Sequence, residues 1–291
     1  MKRPRPSKWL LRKITRPPYT DELGRKGWFE RIARAQPHAV RRLAVTIAGW
    51  PRMSRPLRVA FLSDFHAGSH VGDVARLAAI VEEAAACKPD IVLHGGDFVN
   101  MQMFGGGRLP PRTIASILAP LDAPLGRFAV LGNHDYNYGG DEVAEALEAS
   151  GITVLNDARH TLQHEGHAID LVGLPDAREL SPAGRALLAS LQRPTIVLAH
   201  DPFWFAHVPP GPYLTLAGHT HGGQIRFPVV GALRNASRAP LRWTHGHIVE
   251  GERQLYVTSG LGTSGIPLRI GVPPEFAVID IDGASRAQKN L

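Results

Sequence analysis

The sequence predicts an α/β domain layered on a mixed sheet or a pair of sheets, and three observations carry that prediction. From Leu57 onward short apolar runs recur, each ending in Asp, His, Gly or Asn. Stretches of helical periodicity separate the earlier runs, and the later runs follow one another with few helices between them. The chain of 291 residues is long enough for one large domain or two small ones. With 44% hydrophobic and 20% charged residues, its composition excludes a wholly disordered or fibrous chain.

In chain order, the apolar runs predict strands at Arg58 to Leu62, Ile91 to His94, Phe128 to Leu131, Ile152 to Leu155 and Ile169 to Val172. Further strands are expected at Thr195 to Ala199, Tyr213 to Ala217, Leu255 to Thr258 and Phe276 to Ile281. Helical spacing predicts helices at Val74 to Cys87, Thr113 to Leu118, Asp141 to Ser150 and Pro182 to Ser190. Met101 to Pro111, with three consecutive glycines, reads as a flexible loop. The division that follows is a basic, aromatic-containing N-terminal arm over residues 1–55 and a single domain over residues 56–291.

Charge is unevenly placed. Residues 1–58 hold sixteen Lys or Arg against three acids, net +13, which leaves −6 for the rest of a chain whose total is +7. A basic arm on a mildly acidic body suits an anionic surface, membrane headgroups before nucleic acid. Trp9, Leu10, Leu11, Ile14, Trp28, Phe29, Ile32, Val40 and Leu43 are interleaved with the cations, a pattern that lies flat on lipid or packs onto the main domain. No run approaches the roughly 20 apolar residues that span a bilayer. Arg and Pro interrupt the leader's short apolar runs and no small-residue cleavage site follows one, so the expected location is the cytoplasm, peripheral to a membrane surface. The single cysteine, Cys87, excludes a disulfide framework and any multi-cysteine metal site, leaving His, Asp, Asn or Glu to hold a metal.

The chemistry collects at the carboxyl ends of the expected strands, where α/β folds bind ligands. Ser63-Asp64-Phe65-His66 ends the first, Gly95-Gly96-Asp97 the second and Gly132-Asn133-His134-Asp135 the third. His200-Asp201 and Gly218-His219-Thr220-His221 end two later strands. Any one of these has a turn-forming explanation; five in one chain do not. Asp-x-His and His-x-His set alternate residues on one side of an extended backbone. Carboxylate, imidazole and amide oxygen without thiolate suit Mn, Fe, Zn or Ni.

This ordered set resembles the calcineurin-like metallophosphoesterases from about residue 57 to the chain end. Gly218 to Gln224 and Gly260 to Arg269 are similar to the bacterial YkuE/YaeI-type phosphodiesterase branch. The resemblance implies a four-layer fold, a two-sheet β sandwich flanked by helices, and two divalent metal ions about 3.5–4 Å apart. It implies that Asp64, His66 and His221 hold one ion, that Asn133, His200 and His219 hold the other, and that Asp97 bridges them. A metal-bridging hydroxide would attack phosphorus, and His134 would protonate the leaving oxygen. The implied substrate is a phosphodiester or pyrophosphate, nucleotide-linked or lipid-linked, since relatives include enzymes that cleave UDP-diacylglucosamine. A nuclease of the same fold and a non-catalytic scaffold are the alternatives.

The sequence departs from the protein Ser/Thr phosphatase branch of that family, which has an Asp and then an Arg at the places held here by Asn100 and Met101. That argues against a protein phosphatase and leaves His134 without its usual carboxylate partner, with Asp135 and Asp201 as substitutes or mere turn caps. Arg269 and the Gly262 to Gly265 loop are expected to bind phosphate by guanidinium and backbone N–H groups, or the glycines form a plain tight turn. His70 is expected exposed on a loop, His94 structural, and Phe203 to Phe205 packed in the core.

Overall fold

Continuous apolar runs such as Val59-Ala60-Phe61-Leu62 belong to strands covered on both faces, the condition of a parallel sheet between two other layers. The computed structural model describes residues 34–101, 107–176, 180–227, 231–232 and 234–284, and within them builds that arrangement twice. Strand β1 is Ala39–Ile47 and β2 is Leu57–Leu62; helix α1 (Asp73–Ala86) leads to β3 (Ile91–His94). Helix α2 (Pro111–Leu118), β4 (Arg127–Ala129), α3 (Asn133–Glu148) and β5 (Thr153–Val154) follow. The second half holds β6 (Ala158–His164), β7 (His167–Leu174), α4 (Pro182–Ala189), β8 (Thr195–Ala199) and β9 (Tyr213–Ala217). A short hairpin, β10 (Arg226–Phe227) and β11 (Gly231–Ala232), precedes β12 (Gly246–Glu250), β13 (Arg253–Val257) and β14 (Glu275–Gly283).

One sheet runs β1-β14-β2-β3-β4-β5, the other β12-β13-β9-β8-β7-β6. Each has four parallel strands, β2 to β5 in the first and β7, β8, β9 and β13 in the second, so their carboxyl ends share one edge. Side-chain alternation sorts the core into three layers. Val59, Phe61, Leu93 and Ile279 of the first sheet meet Leu171, Ile196, Leu198 and Leu216 of the second. Ala60, Leu62, Val92 and Leu131 face outward onto Leu77, Ile80, Val81 and Ala84 of α1, whose spacing is one apolar helical stripe, with Ile114 of α2 and Val143 of α3 beside them. Val172, Val197, Ala199 and Val257 pack against Leu188, Trp204, Phe205 and Trp243. The order helix, sheet, sheet, helix is the four-layer sandwich expected. No described helix is long and apolar enough to cross a membrane.

The boundary expected at residue 56 lies earlier. Residues 39–47 pair in parallel with 275–283, and Val45, Ile47 and Trp50 are buried, so this part of the arm is the edge strand of the first sheet. Arg41 and Arg42 made it read as part of a basic arm; on an edge strand such charges face solvent and discourage further pairing. Trp9 to Ile32 of the amphipathic pattern, and positions 102–106 of the glycine loop, lie outside the described residues. Helix α3 begins at Asn133 rather than at Asp141, with a break at Gly139 (φ 153°), so Asn133 and His134 sit on its first turn.

Candidate metal centre

The carboxyl ends of β2, β3, β8 and β9 converge because the loops bond to one another across the sheets. Asp64 N–H donates to Gly96 O at 2.9 Å, and Gly218 N–H to His200 O at 3.0 Å. His219 N–H donates to the Asp64 carboxylate at 3.0 Å, tying the sheets together at the site. Approach this close needs glycine. A Cβ on Gly132 would collide with the carboxylate of Asp97 and the ring of His200, and one on Gly218 with Ser63 and the carboxylate of Asp64. Gly260 packs against Asp64, and Gly262, at the start of the loop expected to bind phosphate, packs against Phe65 and His66.

Donor atoms from Asp64, His66 and His221 lie within 4.8 Å of one another, as do those of Asp97, His200 and His219, and those of His66, Asp97 and His134. His66 Nε2 is 3.1 Å from His221 Nε2 and 3.6 Å from Asp97 Oδ2. His200 Nε2 is 3.1 Å from His219 Nδ1, 3.3 Å from Asn133 Oδ1 and 3.5 Å from the same Asp97 oxygen. Asp97 therefore stands between the two groups. His200 Nδ1 donates to Gly95 O at 2.7 Å, which turns Nε2 toward the cluster, the outer-shell bond that fixes a ligating tautomer.

Burial pushes His66 and His221 well below the usual histidine range, so both present neutral nitrogens. It raises Asp64 to about 6, with the charge of Asp97 adding to the effect. His200 goes the other way: burial alone would lower it, but Asp97, Asp64 and the Gly95 carbonyl lift it to about 9. Burial likewise raises Asp97, yet His200, His134, His219 and the His134 N–H together bring it below the usual carboxylate value. Carboxylates, an amide oxygen and imidazoles, two of which burial holds neutral, fit divalent cations.

The other expected residues divide. His134 lines the cavity at the centre, donates its N–H to Asp97 Oδ1 at 2.8 Å, and sets its ring edge-on to His66, centroids 4.5 Å apart. Asp135 spends its carboxylate on the N–H groups of Asp97, Phe98, Val99 and Gly132, so it fixes the loop of Asp97 rather than the ring of His134. Asp201 caps the turn at Phe203 N, accepts from Ser237 Oγ, and lies 3.8 Å from His219 Nε2. Arg269 departs from its expected phosphate contact: it is buried, and its guanidinium donates to the carbonyls of Ser259, Gly260, Gly262 and His221. Gly265 is exposed in a left-handed turn next to Ser264, which lines the cavity.

His70 also corrects its expectation. It is buried and bonded to Ser69 Oγ at 2.8 Å, in a turn closed by Gly68 N–H to Asp73 at 2.7 Å; burial and Arg76 push it down to about 3. His94 packs among Phe65 and Phe98, and Trp204 and Phe205 are core. The cavity, about 370 Å³, is further lined by Asp176, Ala236 and Arg238, none foreseen. Asp176 had a signal, since it follows Leu174 at the carboxyl end of β7. Arg238 lies in a loop with no pattern of its own, and its guanidinium sits 4.5 Å over Phe203.

Residues 57–223 match the family model of the calcineurin-like phosphoesterases. The chain belongs to this family. It is 32% identical over 270 residues to phosphodiesterase YaeI of Escherichia coli (strain K12), covering 88% of this chain and 89% of that one. It is 31% identical over 200 residues to the metallophosphoesterase YkuE of Bacillus subtilis (strain 168), covering 67% of this chain and 68% of the relative. A calcineurin-like phosphoesterase is a metal-dependent hydrolase of phosphoric esters, and the imidazoles and carboxylates gathered here are residues that could bind its divalent metals.

Proposed function

We propose that this chain is a dinuclear metal-dependent phosphodiesterase. In this reading Asp64, His66 and His221 hold one divalent ion, Asn133, His200 and His219 a second, and Asp97 reaches both. The supporting observation is the placement of Asp97 Oδ2 at 3.5–3.6 Å from a histidine nitrogen of each group. Manganese is the first candidate by ligand type, with Fe, Zn and Ni compatible. Bound ions of this kind supply charge stabilisation to phosphoryl oxygens and acidify water at neutral pH.

The chain's own residues do the rest. His200 is held in one tautomer by Gly95, and Asp97 is held by the His134 N–H and by the loop that Asp135 ties down. His134, on the first turn of α3 and open to the cavity, transfers a proton to the departing ester oxygen. A cavity of about 370 Å³ lies within the usual range for small-molecule sites, roughly 300–1,000 Å³, and leaves room for two ester groups. The name of the YaeI relative favours a diester over a monoester. A nucleotide-linked or lipid-linked diester or pyrophosphate handled at an anionic membrane surface is the finer reading, supported by the net charge of +13 over residues 1–58.

The test is hydrolysis of bis-p-nitrophenyl phosphate beside p-nitrophenyl phosphate by metal-stripped protein with added Mn²⁺. The diester should be the better substrate, and Asp97→Ala should abolish its hydrolysis. Preference for the monoester, or no turnover of either ester with Mn²⁺, Fe²⁺, Zn²⁺ or Ni²⁺, contradicts the reading.

A further inference from the structure

The segment that leads into β14 inverts the ordinary alternation of a surface strand. Ile266, Leu268 and Ile270 point outward and are 41%, 36% and 42% exposed, while Pro267 and Arg269 between them are buried. A permanent cation lies inside and a row of aliphatic side chains lies outside. The arginine makes the row rigid, since its carbonyl partners at Ser259, Gly260, Gly262 and His221 fix the segment from within. Strand β10 runs alongside: Arg226 N–H donates to Ile270 O at 2.8 Å and Ile270 N–H to Gln224 O at 3.0 Å. The next residue, Phe227, is 47% exposed and adds an aromatic ring.

This apolar face borders the metal-centre cavity. Ser264 lines the cavity, and Ile266 N–H bonds to Ser264 O at 2.9 Å. The early part of the chain reaches the same segment, because Gln36 Nε2 donates to Arg269 O at 2.8 Å. Upstream, residues 1–33 contain ten Lys or Arg against three acids. Exposed aliphatic rows of this kind mark interaction surfaces. A rigid aliphatic row, touched at Gln36 by a chain whose residues 1–33 are strongly basic in sequence, complements an anionic bilayer, apolar side chains to the acyl boundary and cations to the headgroups.

We propose that Phe227, Ile266, Leu268 and Ile270 form a docking face that seats the mouth of the cavity on an anionic lipid membrane. The docking stands on the surface alone; that the diester cleaved there is lipid-borne rests on the phosphodiesterase reading. Flotation of the full chain with vesicles of phosphatidylcholine and phosphatidylglycerol, against pure phosphatidylcholine, tests it at low and high salt. The protein should float with the anionic vesicles and keep a salt-resistant fraction. Ile266→Ser combined with Leu268→Ser and Ile270→Ser should reduce partitioning by about tenfold or more while leaving the melting curve and bis-p-nitrophenyl phosphate hydrolysis unchanged.

Equal flotation of variant and wild type overturns the docking face, as does failure of the wild type to bind anionic vesicles. A stable dimer of the free wild type that the triple variant dissociates also overturns it, because the row would then be covered by a second copy. A protein that floats but cleaves no diester breaks the phosphodiesterase reading and leaves the docking supported. One that cleaves the diester but does not float does the reverse.

Discussion

Along β8, Ile196 to Ala199 are buried, apolar and regular; one residue later His200 is a buried imidazole wedged among Asp97, Asn133 and His219. The same change occurs at Leu62 and Asp64 after β2, and at Ala217 and His219 after β9. Inside the sandwich each strand satisfies its backbone and buries side chains on both faces. At the strand ends the chain does the opposite. Among the described residues nine non-glycine positions have positive φ, and five of them are Asp64, His66, Asp97, His219 and His221. Left-handed backbone at such residues costs on the order of 1–3 kcal/mol each. The interior stabilises a rim whose backbone is itself strained, and the strain gathers at the residues proposed as metal ligands.

Breaking the rim should therefore abolish activity, whereas breaking the interior should unfold the protein. The largest effect is expected for Asp97→Ala, which should lower diester kcat/KM by a factor on the order of 10²–10³ or more, measured with saturating Mn²⁺. Chelation of the wild type should reproduce that loss and re-addition of metal should reverse it. Next come two truncations compared by denaturant unfolding in the presence of a chelator. Leu198→Ala, in the middle of β8, should cost about 2–5 kcal/mol. His219→Ala should cost under about 1 kcal/mol, because its ring lines the open cavity rather than the core and the backbone N–H bond to Asp64 is kept. Equal costs would erase the distinction between the two regions.

A smaller effect tests a buried charge away from the proposed ligands. Glu275 is fully buried; burial raises its carboxyl, but His245, Arg41 and the Ser259 N–H outweigh that and hold it at about 2 against an ordinary 4.5. A depressed folded value adds stability above the unfolded value and loses it as pH falls. Stability should thus drop by roughly 3 kcal/mol between about pH 4.5 and pH 2, and Glu275→Gln should flatten that part of a pH titration of unfolding. Smallest is Ser181→Ala. Its hydroxyl accepts from Gly184 N–H at the start of α4, and its loss should lower stability by about 1 kcal/mol with activity unchanged.

Much of the fold was legible because buried parallel strands declare themselves. Ile91 to His94, Thr195 to Ala199 and Tyr213 to Ala217 have the limits the apolar runs predict. The strands that went unread are at edges or in the short hairpin. Ala39–Ile47, Ala158–His164 and Gly246–Glu250 each present one polar face, and composition alone does not separate such a strand from a loop or an arm. For the site, residue types at strand ends named the donors, because a strand's end is fixed by its apolar run. Arg269 was misread for a physical reason: an arginine in a glycine-rich loop looks alike whether its guanidinium faces solvent or five backbone carbonyl contacts. His70 was misread because only the tertiary turn through Asp73 buries it. Asp176 and Arg238 reach the cavity through loops whose paths the sequence does not specify.

The central claim is that the strand-end cluster exists to hold metal, and direct titration of metal-stripped protein with Mn²⁺ by calorimetry tests it most closely. The wild type should bind two equivalents per chain and Asp97→Ala fewer, and loading should raise the melting temperature of the wild type. Wild type and Asp97→Ala binding Mn²⁺ equally, or the wild type binding none, would contradict it.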